Sequence, residues 1–164
     1  MPLKLNHVEE RAESLMRRAL DLGIDDPIRV IVGPQADYFT ERAVETFLSS
    51  EYTISSQSNR MGFRLDGPEL THSKGYNIVS DGVVTGSIQV PGSGQPLVLM
   101  VDNPTTGGYP KIATVISSDI PALGRRAPGR KVRFITVTID EAYAACKDQA
   151  KRLEELSQFD SVFD

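Results

Sequence analysis

The sequence predicts a mainly β (α+β) domain with peripheral helices, and three observations carry that prediction. Between residues 52 and 137, short runs rich in Val, Ile, Leu and Thr alternate with turn clusters such as Asp66-Gly67-Pro68, Asp81-Gly82 and Gly92-Ser93-Gly94. Spacing of this sort fits a mostly antiparallel sheet that curls into a barrel or a sandwich. The run Leu97-Val98-Leu99-Met100-Val101 is apolar on both faces, as a central buried strand would be. The strongest helix signals lie outside this region, towards the two ends of the chain.

In chain order, the first element is a helix. Asn6 can cap it, Glu9 completes a capping box and Gly23 offers a stop. Val8, Ala12, Leu15, Met16, Ala19 and Leu22 form one apolar stripe at helical spacing. Residues 1–25 therefore read as a helical extension or linker, ended by Asp25, Asp26 and Pro27. The β-branched run Ile28-Arg29-Val30-Ile31-Val32 reads as a strand stopped by Gly33-Pro34. A helix over residues 40–49 follows, capped by Thr40, with Phe39 placed to staple onto Val44. A further helical stretch is expected over residues 111–117, resuming at Ile120. The chain closes with a strand over residues 132–137 and a helix opened by the capping box Thr138-Ile139-Asp140-Glu141. Tyr143, Cys146, Ala150 and Leu153 stand at core spacing on that helix, and residues 159–164 read as a frayed tail. The body of the domain is placed at residues 26–145, with 146–164 as helix end and tail.

Composition narrows the function classes. The 164 residues and 18.0 kDa suit one domain that can bury a core without disulfides or metals. Eighteen Lys+Arg against twenty-two Asp+Glu give a net charge of −4, which supplies no broad positive field for nucleic acid. A single cysteine, Cys146, excludes a disulfide framework and a cysteine zinc site. His7 and His72 alone leave little for a metal centre or a histidine triad, so no metal site is expected. No apolar run approaches a membrane span and residues 1–25 are too polar for a signal peptide, so a soluble, cytoplasmic protein is expected.

Three clusters could carry chemistry. In Ser58-Asn59-Arg60-Met61-Gly62-Phe63-Arg64-Leu65, two arginines could orient a carboxylate or phosphate, or the segment could be a surface turn leading into a strand. In residues 85–96, Gln89 is an amide inside an apolar stretch, so it either ties a loop to the sheet or faces a ligand. In Asp102-Asn103-Pro104-Thr105-Thr106-Gly107-Gly108-Tyr109-Pro110-Lys111, two hydroxyls, two glycines and a helix start could cradle an anion, or form a structural turn. No nucleophile elbow or Walker loop is present. Cys146 reads as core, and His72 as a solvated turn residue.

Taken together, these clusters resemble the KipA-type family, also called allophanate hydrolase subunit 2-like, biotin-dependent carboxyltransferase-domain or 5-oxoprolinase C-type proteins. The resemblance starts at Gly33-Pro34-Gln35 and Tyr38-Phe39-Thr40. It continues through residues 58–65, Gly86-Ser87-Ile88-Gln89-Val90-Pro91 and residues 105–111, and ends at Pro128-Gly129 with Val132-Arg133-Phe134. Asn59 and Asn103-Pro104 depart from the family pattern.

The resemblance implies a cyclophilin-like β-barrel corresponding to the C-terminal half of a protein about twice as long. It implies one component of an ATP-dependent 5-oxoprolinase, or of a urea amidolyase-related carboxyltransferase, acting on a small cyclic or urea-type amide and inactive alone. Its alternative is a non-catalytic module that binds a KipI-like partner and antagonises kinase inhibition. Implied partners are a KipI-like protein (the B-type component of 5-oxoprolinase), an A-type component and the missing N-terminal half. Biotin would arrive on a separate domain and ATP through the assembly, neither held by an assigned residue of this chain. Arg60, Gln89, Thr106 and Lys111 are the implied catalytic residues; Ser58, Arg64, Thr105, Gly107, Gly108 and Tyr109 are the implied substrate-binding ones. In that scheme the arginines orient a carboxylate or carboxybiotin, and the Gln89, threonine and glycine donors hold a carbonyl or oxyanion. Lys111 adds positive charge.

Overall fold

The computed structural model describes residues 26–160, with side chains described to residue 155. The helix expected over residues 6–22 and the end of the expected tail, 161–164, lie outside the described residues.

Strand β1 (Ile28–Val32) forms where the β-branched run predicts it, with Ile28 and Val30 inside. A 3-10 turn (Ala36–Tyr38) leads to α1 (Glu41–Ser49), whose cap is Thr40: its hydroxyl accepts the Ala43 N–H at 3.1 Å. Phe39 is buried and Val44 packs against the same core. There follow β2 (Glu51–Ile54), β3 (Gly62–Asp66), β4 (Asp81–Gly82), β5 (Ser87–Gln89), β6 (Leu97–Leu99), β7 (Thr106–Gly107) and β8 (Lys111–Val115). A 3-10 turn (Ser117–Asp119), α2 (Ile120–Gly124), β9 (Lys131–Thr136) and α3 (Ile139–Asp160) complete the described chain.

Seven strands close into a barrel in the order β1-β8-β5-β6-β3-β2-β9, which decides between barrel and sandwich. Neighbours are antiparallel except at the closing seam, where β1 runs parallel to β9 with Ile28 opposite Phe134. Inside, Val30, Ile54, Leu65, Ile88, Val98, Ile112 and Phe134 are fully or almost fully buried. Each such side chain removed from water contributes roughly 1.5–3 kcal/mol. Phe47 of α1 stacks on Phe134 at 4.8 Å between centroids and fixes the helix against the barrel. The separate β4–β7 ribbon lies outside this closed sheet.

Three expectations need correction. Residues 111–115 form strand β8 and not a helix: it pairs with β1 and β5, and the β-branched Ile112, Thr114 and Val115 suit a sheet better than Ala113 suits a helix. Helical structure resumes only at the 3-10 turn and α2, so residues 105–111 adjoin no helix N-terminus. The central strand is shorter than expected, since Val101 is 64% exposed beyond β6. On α3, opened by the expected box (Glu141 Oε2 accepts the Thr138 N–H at 2.7 Å, Thr138 Oγ1 the Glu141 N–H at 3.2 Å), the stripe is not core. Tyr143 and Leu153 are mostly exposed and Cys146 is half-buried, because the barrel closes without the outer part of this helix.

Candidate functional site

Residues paired directly across antiparallel strands share a face. Arg64 pairs with Leu97, Leu97 with Gln89, and Gln89 with Lys111, so these four form one row on the outside of β3, β6, β5 and β8. The row one step along, Phe63, Val98, Ile88 and Ala113, faces inward. Three strand spacings separate Arg64 from Lys111, about 14 Å. A bulge between Ile88 and Gln89 shifts the register, leaving Ile112 and Ala113 both buried and bringing Lys111 opposite Gln89.

The ribbon covers one half of this row. In it Asp81 pairs with Gly107 and Gly82 with Thr106, and the pairing extends through Ile78 N–H to Gly108 O at 2.9 Å and Val83 N–H to Thr105 O at 3.1 Å. Beneath it, Gln89 and Lys111 are almost completely buried, while Arg64 stays exposed. Gln89 donates to the Tyr109 carbonyl at 3.4 Å and so ties the loop, one of its two expected roles. A Cβ on Gly107 would meet the Gln89 amide well inside van der Waals contact, so any other residue here displaces that side chain from its present place.

Lys111 Nζ donates to Asp81 Oδ2 at 2.6 Å and to the Gly82 carbonyl at 2.8 Å. Gln35 bridges the same group: its Oε1 accepts the Lys111 N–H at 3.1 Å and its Nε2 donates to Asp81 Oδ2 at 3.1 Å. The Lys111 ammonium, then the Gln35 amide and the Gly82 N–H, hold the Asp81 carboxyl below the usual carboxylate range.

The remaining candidates divide. Arg60 stands at the opposite end of the barrel, where β3 begins and β6 ends. There it pairs with Asp102, Nε to Oδ2 at 2.7 Å and Nη2 to Oδ1 at 3.2 Å, in an exposed contact. Ser58 is engaged in a local turn, its Oγ accepting the Arg64 N–H at 3.0 Å, and Asn59 Oδ1 accepts the Met61 N–H at 2.8 Å. Thr105 and Thr106 are exposed on the ribbon, Gly107 and Gly108 are half-buried, and Tyr109 is 39% exposed beside them. The structure thus gathers Gln89, Thr106, Gly107, Tyr109 and Lys111 on one side, leaves Ser58 beside the exposed Arg64 across the row, and sets Arg60 at the opposite end of the barrel.

Two members were not singled out by sequence reasoning. Asp81 reads as half of an Asp-Gly turn, and Gln35 as the residue after Gly33-Pro34. His72, expected to be solvated, is half-buried instead, hydrogen-bonded to the Val90 carbonyl at 3.0 Å and 4.9 Å from the Phe39 ring.

The closed seven-stranded barrel defines the class of domain, one whose fold is shared with part of a urea amidolyase. The crystal structure of the K. lactis urea amidolyase superposes with a TM-score of 0.74 at 25% identity, over 79% of this chain and 8% of that one. Residues 3–136 match the family described as carboxyltransferase domain, subdomain A and B, and the chain belongs to that family. It is 40% identical to the C-type subunit of 5-oxoprolinase from Escherichia coli over 79% of its length. It is 39% identical to the C-type subunit of 5-oxoprolinase from Haemophilus influenzae over 71% of its length. The chain spans 42% and 38% of these two relatives. Among the described residues no helix is long and apolar enough to cross a membrane.

Proposed function

We propose that this chain is part of a cytoplasmic, ATP-dependent 5-oxoprolinase-type assembly and helps bind a small cyclic or urea-type amide. The observation that carries the reading is the Gln89–Lys111 pair, an amide and an ammonium buried on neighbouring strands under a ribbon whose Gly107 lies close against the Gln89 amide. Such a pair suits a carbonyl oxygen that gains negative charge as its amide bond opens, because donors fixed in a sheltered site need no reorganisation. The names of the relatives favour the 5-oxoprolinase reading over carboxyl transfer. In this reading ATP is used by the assembly. The partners are its A-type component, its KipI-like B-type component and the N-terminal half of the C-type component. Carboxybiotin is a substrate of the same site only if a biotinylated domain joins the assembly. Thr106 and Tyr109 line the approach, and Arg64 orients the substrate's far end.

The test mixes this chain with those proteins, ATP and 5-oxoproline and follows glutamate release. Lys111→Met and Gln89→Ala are expected to lower turnover by at least about tenfold, or about 1.4 kcal/mol in the barrier. Arg60→Ala, at the far end of the barrel, separates a one-site from a two-site arrangement. Unchanged turnover in Lys111→Met overturns the assignment. Co-purification with the KipI-like protein and no turnover in any mixture replaces it with the binding-module reading.

A further inference from the structure

The Lys111 contacts have the form of a carboxylate site that already contains a carboxylate. One Asp81 oxygen takes the ammonium at 2.6 Å and the Gln35 amide at 3.1 Å; the other takes the Gly82 N–H at 2.8 Å. The two sides of this contact differ in solvent access. Lys111 projects from β8 and Gln35 from the turn after β1, and the Lys111 side chain is 3% exposed. Asp81 is 50% exposed and belongs to the short β4–β7 ribbon outside the barrel, whose two ladder pairs are extended by one hydrogen bond on either side. A two-stranded ribbon of that length is not stable by itself. The Lys111 and Gln35 contacts hold it down at Asp81, and Gln89 ties its other strand through the Tyr109 carbonyl.

We propose that Lys111 and Gln35 form a binding site for the carboxylate of a small-molecule ligand, that Asp81 fills this site from within, and that the Asp81–Gly82/Thr106–Gly107 ribbon is the lid that lifts to admit the ligand. The inference rests on the reading that Lys111 belongs to the functional site, and it adds the ligand's chemical class and the group it displaces. An ammonium has three donors; Asp81 and the Gly82 carbonyl take two, and both leave together when the ribbon lifts. An incoming carboxylate replaces the charge that departs, so the buried lysine is never left without a counter-ion. A neutral group cannot replace that charge, so the site selects a ligand that carries a carboxylate beside its amide, which favours the cyclic over the urea-type amide of the proposed function. A free carboxylic acid and an N-carboxylated carrier present the same group, and competition by each separates the two sources.

The experiment uses the whole chain, isotopically labelled for NMR, titrated with sodium acetate at constant ionic strength and with acetamide as the neutral control. Asp81→Asn keeps the shape of the side chain and removes its charge. It is expected to bind acetate about tenfold more tightly than the wild type, with shifts centred on the Gln35 side-chain amide and the Gly82 and Gly107 amides. Adding Lys111→Met to Asp81→Asn is expected to abolish that binding. Equal acetate affinity in wild type and Asp81→Asn, or acetate binding that survives Lys111→Met, overturns the proposal. Hydrogen exchange in the wild type tests the lid without any variant. The Ile78 and Val83 amides, bonded across the ribbon, are expected to exchange about a hundredfold faster than the Val115 amide bonded to Gly86 in the barrel. Equal protection overturns the lid. Failure of the reconstituted assembly to turn over leaves the acetate result standing, whereas an active assembly whose Asp81→Asn chain binds no acetate overturns this inference alone.

Discussion

Asp119 receives three hydrogen bonds from Arg29: from its backbone N–H at 2.8 Å, from Nε at 3.0 Å and from Nη2 at 2.6 Å. The contact joins the first strand of the barrel to the turn after β8, and Gln149 of α3 donates to Ser118 O in that turn at 3.4 Å. Asp119 is 7% exposed and the Arg29 side chain keeps 38% exposure, so the loss should fall below that of a fully buried pair. Asp119→Ala is expected to cost about 2 kcal/mol, read as a lower urea midpoint. Faster exchange of the α3 amides is expected to accompany it. A cost under about 0.5 kcal/mol would place the pair with ordinary surface contacts.

Gly107→Ala tests the close approach of the ribbon. The added methyl meets the Gln89 amide, and overpacking of this kind costs about 1–3 kcal/mol. The expected result is a lower melting temperature in Gly107→Ala and partial recovery in Gly107→Ala with Gln89→Ala, because shortening Gln89 removes the obstacle. Absence of recovery would mean that the methyl meets something else.

Tyr52 is fully buried, and its hydroxyl has no hydrogen-bond partner among the described residues. Burial pushes its phenol up to about 12. Since the folded value lies above the unfolded one, this contribution to stability is complete below about pH 10 and is lost as the pH rises towards 12. Tyr52→Phe is expected to raise stability at neutral pH by about 1 kcal/mol and to flatten the alkaline limb. Urea titrations at pH 7 and above pH 10 check both effects; a destabilised Tyr52→Phe would show that the hydroxyl has a useful partner.

Asp81, Asp102, Asp37 and Glu141 are all held below the usual carboxylate range. For the three aspartates the first cause is a side-chain hydrogen bond, from Lys111, Arg60 and Lys74 respectively; for Glu141 it is the Thr138 N–H. Their folded values lie below the unfolded ones. The stability they supply is therefore present above about pH 4 and is lost as the pH falls through the lower folded values. Thermal midpoints are expected to be flat near neutrality and to drop in acid. In Asp81→Asn that acid slope should be shallower, and an unchanged slope would remove Asp81 from the linkage.

Much of the barrel was legible from local pattern. Ile28–Val32 alternates as a half-buried strand should, Thr40 caps α1, and Thr138 with Glu141 opens α3. Residues 111–115 misled because Lys111 and Ala113 favour a helix in isolation, while their pairing with β1 and β5 connects residues far apart in sequence. The α3 stripe has core spacing, but spacing does not say whether a neighbour covers it. Gln89 and Lys111 could be marked as unusual from their neighbours, an amide within an apolar stretch and a lysine after Gly-Gly-Tyr-Pro. Their partner Asp81 could not be marked, because an Asp-Gly pair has the same appearance in any turn and only the register of the ribbon sets it over the lysine.

The seam between β1 and β9 has a consequence for how the chain is made. Its partners, such as Ile28 and Phe134, are separated by more than three fifths of the sequence. A polypeptide leaving the ribosome can form α1 and the hairpin-like pairs early, yet it holds an open sheet with two bare edges until β9 emerges. Long-range closure of this type is slow, and unpaired edges attract other chains. Expression yield should therefore respond more to temperature, which changes how long the open sheet persists, than to substitutions on the finished surface.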